Sequence, residues 1–358
     1  MIRYFLNKGL YALLTLFGVV TVIFFLFNVL PGDPAQMMLG QNEDSDQLKL
    51  IKHKYGFDKP IGTQYLYYLN DLSPISFHSK NENDYSFLKA NKYSATPLFS
   101  IGKATVVLKF PYLRESFTKQ GKKVSQVLAE TLPNTFVLAV SAIVIAMLLG
   151  VFLGILSALK KDTFLDKGIQ VFSTVGMSVP SFFSAILFAW IFGYLLHKYT
   201  NLEMTGSLYE LDDYGENMHI KWKNLILPAI VLGIRPLAVI IQLMRNSLLE
   251  VFNQDYIRTA RAKGLSEFQI IKNHALKNAL NPVVTAISGW FASMLAGAVF
   301  VEYIFGWNGL GKEIVNALNT LDLPVIMGSV LIIATLFVMI NIFVDIIYTW
   351  LDPKVKLE

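Results

Sequence analysis

The chain of 358 residues contains no cysteine, which excludes disulfides, thiol nucleophiles and cysteine-bound metals. Charge is also scarce: Asp, Glu, Lys and Arg make up 16% of the residues, against about 25% in a soluble domain. The five histidines, His53, His78, His197, His219 and His274, form no metal-ligand pair at helical spacing. A phosphate-binding Gly-x-x-x-x-Gly-Lys-Ser/Thr loop is absent, as are His-Glu-x-x-His and Gly-x-Ser-x-Gly, so no nucleotide site or hydrolase centre of those kinds is expected. No catalytic residue, metal or cofactor is implied. What is abundant is apolar: 54% of the chain is hydrophobic, with 26 Phe, and the mean hydropathy is +0.47. The lipid bilayer is its expected surrounding, and no nucleic-acid partner is expected.

Six segments are long and apolar enough to cross a bilayer, near 9–30, 135–159, 171–196, 225–248, 283–304 and 324–350. The expected fold is therefore all-α and integral to the membrane. The first run is too long for a signal-peptide core and ends in Leu30-Pro31-Gly32-Asp33-Pro34, so residues 1–30 read as an uncleaved signal-anchor. Short connections on one side collect Arg3, Lys8, Lys160, Lys161, Lys167, Arg245, Arg258, Arg261, Lys263, Lys272, Lys277, Lys354 and Lys356. The short loops of the other side, 197–224 and 305–323, carry only Lys198, Lys221, Lys223 and Lys312. The positive side faces the cytoplasm, which places both termini and the tail 351–358 inside. The segment 31–134 falls outside as an enlarged loop between the first two spans. Within it, 73–107 reads as a polar insertion, 105–110 as a strand, and Val124, Val127, Leu128, Thr131 and Leu132 as a short helix entering the second span. The core 135–350 holds the other five helices.

Between the fourth and fifth spans lies a basic segment, 250–281. Residues 252–263 are good helix formers, and Gly264 can take the left-handed conformation that ends a helix. Ser266 and Gln269 fit a capping box for a second helix, flanked by Leu265 and Ile270 as a staple. Asn281-Pro282 opens the next helix. A helix–turn–helix between spans suits a surface that receives force from a soluble partner.

Asp255-Tyr256-Ile257-Arg258-Thr259-Ala260-Arg261-Ala262-Lys263-Gly264-Leu265-Ser266, with His274 to Leu280 after it, resembles the cytoplasmic coupling loop of binding-protein-dependent ABC importer permeases. The resemblance is to the B-type subunit of the dipeptide, oligopeptide and nickel group. Leu30 to Pro34, Val301 to Gly311, and Asn341 to Asp345 followed by Leu351 to Lys354 agree in the same order. Where the wider pattern has Glu-Ala-Ala this chain has Arg258-Thr259-Ala260, as is normal for that branch. The resemblance implies a permease subunit in the inner membrane that is not itself an enzyme. It implies a second, C-type permease, two ABC ATPase subunits that hydrolyse ATP, and an external substrate-binding protein. It assigns Asp255, Arg258, Thr259, Ala260, Arg261, Lys263, Gly264 and Ser266 to the ATPase-coupling loop. The implied cargo is a di- or oligopeptide; nickel or another small chelate is the alternative, and a membrane-embedded enzyme is the rival of another class.

Three residues are candidates for the substrate path. Arg235 lies mid-span before Pro236, where a charge is costly and often functional; it either meets a peptide carboxylate or pairs within the protein. Ser178 and Ser181 flank Pro180, where hydroxyls either line a wet path or re-satisfy backbone groups. Asp345 reads as a structural partner for a cation. Small residues four apart (Ala142, Ala146, Gly150, Gly154 and Ala158, and again Gly289, Ser293 and Gly297) allow close helix approach, within the chain or against a second permease.

Overall fold

The computed structural model describes residues 2–29, 35–36, 45–82, 84–89, 92–119, 121–212 and 216–351. The Leu30 to Pro34 motif lies outside them, as does the side chain of Asp345. The chain packs as two units: Met1–Lys8, Thr131–Val315 and Thr335–Glu358 form one, and Gly9–Glu130 with Asn316–Ala334 the other.

Helices dominate because long apolar runs leave the backbone no other way to bond itself in lipid. Four are long and apolar enough to cross a membrane: α1 (Ile2–Val29), α4 (Val124–Leu159), α7 (Lys223–Phe252) and α13 (Leu323–Leu351). Two further spans are bent pairs. Helices α5 (Phe164–Ser178) and α6 (Ser181–Leu195) meet at 108°, and α10 (Asn281–Gly297) and α11 (Val299–Phe305) at 57°. The third span is thus not the straight 171–196 helix that hydropathy suggests. Val179 precedes Pro180 and takes an extended conformation, φ −79° and ψ 129°, because the proline ring disfavours the helical one. Pro133, Pro228 and Pro236, by contrast, are absorbed within continuous helices. The amphipathic lead-in to the second span is likewise no separate helix but the first turns of α4, with Val124, Val127 and Leu128 buried.

The larger unit is built on α7. Of the small-residue ladder on α4, Gly150 and Gly154 lie against it so closely that a Cβ on either would stand 2.6 Å from Ile240 Cγ2 or Met244 Cβ. Gly233 of α7 meets the Ala142 carbonyl in the same way. The first ladder is therefore internal packing. The second is not: Gly289 has nothing within 4 Å of a Cβ position and Ser293 is exposed, while Gly297 lies outside the described side chains. Near the end of α4 a fully buried ion pair closes the packing. Arg245 of α7 donates through Nε and Nη2 to the two carboxylate oxygens of Asp166, at 2.8 and 2.7 Å. The Ser157 hydroxyl and the Asp162 amide complete that carboxylate.

The smaller unit holds α2 (Ser45–Tyr55), α3 (Ile61–Leu72) and an antiparallel sheet of β1 (Ile75–Ser79), β2 (Ala95–Ile101) and β3 (Ala104–Lys109), in the order β1-β3-β2. The strand expected at 105–110 is β3. The sheet corrects the reading of 73–107 as merely polar. One face buries Ser76, His78, Val107 and Lys109; the other exposes Ile75, Phe77, Phe99, Ile101 and Leu108. Composition alone averages over that alternation. Under the buried face sits Asp71, 1% exposed. It accepts bonds from the hydroxyls of Tyr85 and Tyr93 at 2.8 and 3.0 Å and from Arg114 Nε at 3.1 Å, while Lys109 donates to its backbone carbonyl. At the start of α13, Asp322 collects the hydroxyls of Ser116 and Thr118 and the amide of Phe117.

Candidate functional site

The segment after α7 folds as the local sequence dictates. Helix α8 (Asp255–Ala262) turns at Lys263-Gly264 into α9 (Glu267–Ile270). Gly264 has φ +78°. Its amide bonds the Arg261 carbonyl at 2.9 Å, and the Leu265 amide reaches back to the Ala260 carbonyl at 3.4 Å. These are the two bonds of a Schellman ending. A Cβ at Gly264 would meet nothing within 4 Å, so only the backbone angle demands glycine there. Ser266 and Gln269 form the capping box with both reciprocal bonds, and Leu265 packs beside buried Ile270. The helix runs on through a π turn, Ile271–Ala275, to Ala279.

This hairpin is held from below and bare above. Ile257, Ala260, Ile270, Ala275 and Ala279 enter the same core cluster as Ile240, Ile241 and Met244 of α7. Fully burying Ile257 and Ile270 contributes roughly 1.5–3 kcal/mol each. Asp255, Arg258, Thr259, Arg261, Lys263, Gly264 and Ser266 are exposed. Ala260, grouped with them by sequence, is buried and serves the packing instead. Arg258 stands 3.4 Å from Asp255 on the open surface, a pair of small energetic weight. Arg261 lies 5.8 Å from the Phe252 ring centroid. Two outward residues escaped the sequence reading: Phe268, 72% exposed, and Tyr256, whose hydroxyl takes a bond from Asn278 at 2.9 Å. The signal was present, since Phe268 lies two positions from buried Ile270 and so cannot share its face.

The pathway candidates fall on α5, α6 and α7. Gly176 lets α5 press on Ile234 of α7, with 3.1 Å from a Cβ position to Ile234 Cγ2. Ser178 and Arg235 therefore sit on touching helices, yet their side chains do not bond. Ser178 Oγ donates to the Thr174 carbonyl at 2.8 Å, and Ser173 and Thr174 bond back in the same way, so these hydroxyls serve their own helix. Ser181 is half-buried at the start of α6. Arg235 is exposed and makes no ion pair or hydrogen bond with any described residue.

On the opposite side of this unit, the 301–311 motif acquires a physical reason. Glu302 on α11 is fully buried; its Oε2 accepts the amides of Gly311 and Lys312 at 2.7 and 3.2 Å and so caps α12 (Leu310–Asn319). A Cβ on Gly311 would lie 2.9 Å from that oxygen. The loop between is tied down: Trp307 Nε1 donates to the Asn134 carbonyl, Asn134 Nδ2 to the Asn308 carbonyl, and the Asn308 amide to Ser207 Oγ.

Residues 150–357 match the family described as the inner membrane component of binding-protein-dependent transport systems, and residues 1–83 match its N-terminal counterpart. The chain belongs to this permease family. Such a permease is not an enzyme; ATP hydrolysis lies in partner subunits. It is a multi-pass protein of the inner membrane. Among its relatives are the dipeptide transport system permease proteins of Alkalihalophilus pseudofirmus, 32% identical over 99% of this chain and 100% of the relative, and of Bacillus subtilis, 32% identical over 100% and 99%. The di/tripeptide transport system permease protein of Pseudomonas aeruginosa is 32% identical over 96% and 95%. In fold the permease resembles the inward-facing MetNI methionine ABC transporter, with a TM-score of 0.51 at 16% identity over 63% of this chain and 97% of the other.

Proposed function

We propose that this permease carries di- or oligopeptides inward as half of a transmembrane pair with a second permease. An external binding protein delivers the peptide, and two ATPase subunits drive the cycle through the α8–α9 hairpin. Both termini and residues 250–281 lie in the cytoplasm; residues 31–134 lie outside. The observation that carries this reading is the hairpin itself. It is rigid where it meets α7 and presents a bare surface of Tyr256, Arg258, Arg261, Lys263 and Phe268. Such a surface transmits force only if its turn does not yield. The peptide class rests on the names of the relatives, and a second permease fits the unfilled Gly289 and Ser293 face. Arg235, charged and unpaired in a span, suits the carboxylate of a passing peptide.

The test is ATPase activity and peptide uptake in the reconstituted four-subunit complex. Gly264→Val forces a β-branched residue to φ +78°, a strain of at least about 1–2 kcal/mol. The complex should assemble and bind its external partner yet transport poorly, while Gly264→Asn, which tolerates that angle, retains most of the activity. Full, substrate-coupled transport by Gly264→Val would remove the hairpin from the mechanism. Topology is checked with an impermeant thiol reagent on intact cells: Ser79→Cys should react and Ser266→Cys should not. For Arg235→Gln, uptake of free peptides should fall more than that of C-terminally amidated ones.

A further inference from the structure

In the smaller unit, a pocket lies where α1 ends and α13 begins, at the level where both spans reach one surface of the membrane. Its walls include Phe24 and Phe27 of α1, Phe57, Phe117 and Met327, and the space between them and its open mouth is about 530 Å³. Hydrocarbon dominates this lining, but Arg114 enters it. Three properties set that arginine apart. Its backbone is left-handed, φ +68°, a conformation that a non-glycine residue holds only when its surroundings impose it. Its side chain is only 17% exposed. Of its donors only Nε is used, on Asp71; its two terminal nitrogens bond nothing among the described residues, and they are not sealed off. The charges around it do not balance either. Arg114, Lys92 and Lys109 face the carboxylates of Asp71 and Glu115, which leaves one cation over.

We propose that this pocket binds an anionic amphiphile, with its phosphate or carboxylate head on the open fork of Arg114 and its hydrocarbon chain along Phe24, Phe27 and Met327. A guanidinium presenting two parallel N–H groups matches either oxyanion. Basic pockets between spans near a membrane surface are where lipid head groups are held. The source is an acidic phospholipid of the bilayer or a free fatty acid, since both offer the same head and chain.

The experiment uses the purified complex in detergent, with phosphatidylglycerol, phosphatidylcholine, palmitate and inorganic phosphate as probes and retention read by native mass spectrometry. Phosphatidylglycerol, palmitate or both should be held on the order of tenfold more tightly than phosphatidylcholine, the value of one charge-assisted bond. Phosphatidylglycerol alone assigns a bilayer lipid, and palmitate alone a fatty acid. Arg114→Gln should abolish the preference and Arg114→Lys should keep part of it. Because Arg114→Gln leaves Asp71 short of a donor and risks unfolding, the wild-type complex is also treated with both anionic lipids carrying a diazirine in the acyl chain. Adducts should map to residues 24–27 and 323–328. Equal retention of phosphatidylcholine, phosphate held as well as phosphatidylglycerol, or adducts elsewhere or on a partner subunit would each overturn the proposal.

Discussion

Two buried Asp–Arg pairs divide this molecule into contacts that close on themselves and contacts that stay open. Asp166 and Arg245 meet fork to fork, and Ser157 and the Asp162 amide occupy what remains of the carboxylate. Asp71 and Arg114 share a single bond, with tyrosine hydroxyls filling the acid and nothing filling the arginine. The first arrangement returns the desolvation of two charges through complete hydrogen bonding. The second holds a cation half-committed beside a cavity. The same division separates the glycines. Gly150 and Gly154 are spent on α7, whereas Gly289 faces empty space. Closed contacts hold the permease together, and open ones mark where something else is received.

The largest effect that tests this division is Asp166→Ala. It strands Arg245 in a buried site and should destabilise the purified permease by about 3–5 kcal/mol in thermal unfolding. Gly154→Leu comes next, at about 3 kcal/mol, because the new side chain drives α4 from the Ile241 carbonyl and Met244. Gly289→Leu should leave the chain's own stability unchanged and reduce co-purification of the second permease; equal damage from both substitutions would erase the distinction. Asp71→Ala should cost only about 1–2 kcal/mol, since Arg114 can turn to the pocket. A loss matching that of Asp166→Ala would show the two pairs to be alike.

The smallest effect is one of pH. Burial pushes Lys92 and Lys109 down to about 8, and burial also lowers His78, which lies between Ser76 Oγ and the Ser86 carbonyl. In each case the unfolded chain binds the proton more readily. Stability of the smaller unit should therefore rise as pH climbs from about 8 towards the ordinary lysine value of 10.5. It should fall when acid titrates His78 below its ordinary 6.5. Hydrogen exchange across strand β3 at pH 6, 8 and 10 reads this directly, and a flat response would mean that these groups are solvated.

What could be read from the sequence was what depends on neighbours along the chain. The α8–α9 hairpin was legible because Gly264, Ser266 and Gln269 fix their own geometry within four residues. The spans were legible as apolar runs, and Pro180 announced a break without giving its angle. Ala260 was misassigned because contiguity with Arg258 and Arg261 says nothing about which face a residue takes. Asp71 and Arg114 lie 43 residues apart, and Asp166 and Arg245 lie 79 apart; no local pattern links such partners. The sheet's exposed Phe77, Phe99 and Ile101 hid in a stretch that average composition made polar.

The π turn at Ile271–Ala275 makes chain length itself a specification. An α-helix advances about 100° per residue, and a π turn carries one residue more than the α-helical turn it replaces. Deleting His274 would relax that turn to ordinary helix and swing everything downstream by about a quarter of a circle. Ala279 would then leave its seat in the core, and the entry of Pro282 into α10 would point elsewhere. One missing residue here would thus act as a wrong gear tooth, misaligning a span whose own sequence is untouched, while the same deletion between Lys160 and Thr163 would merely shorten a turn.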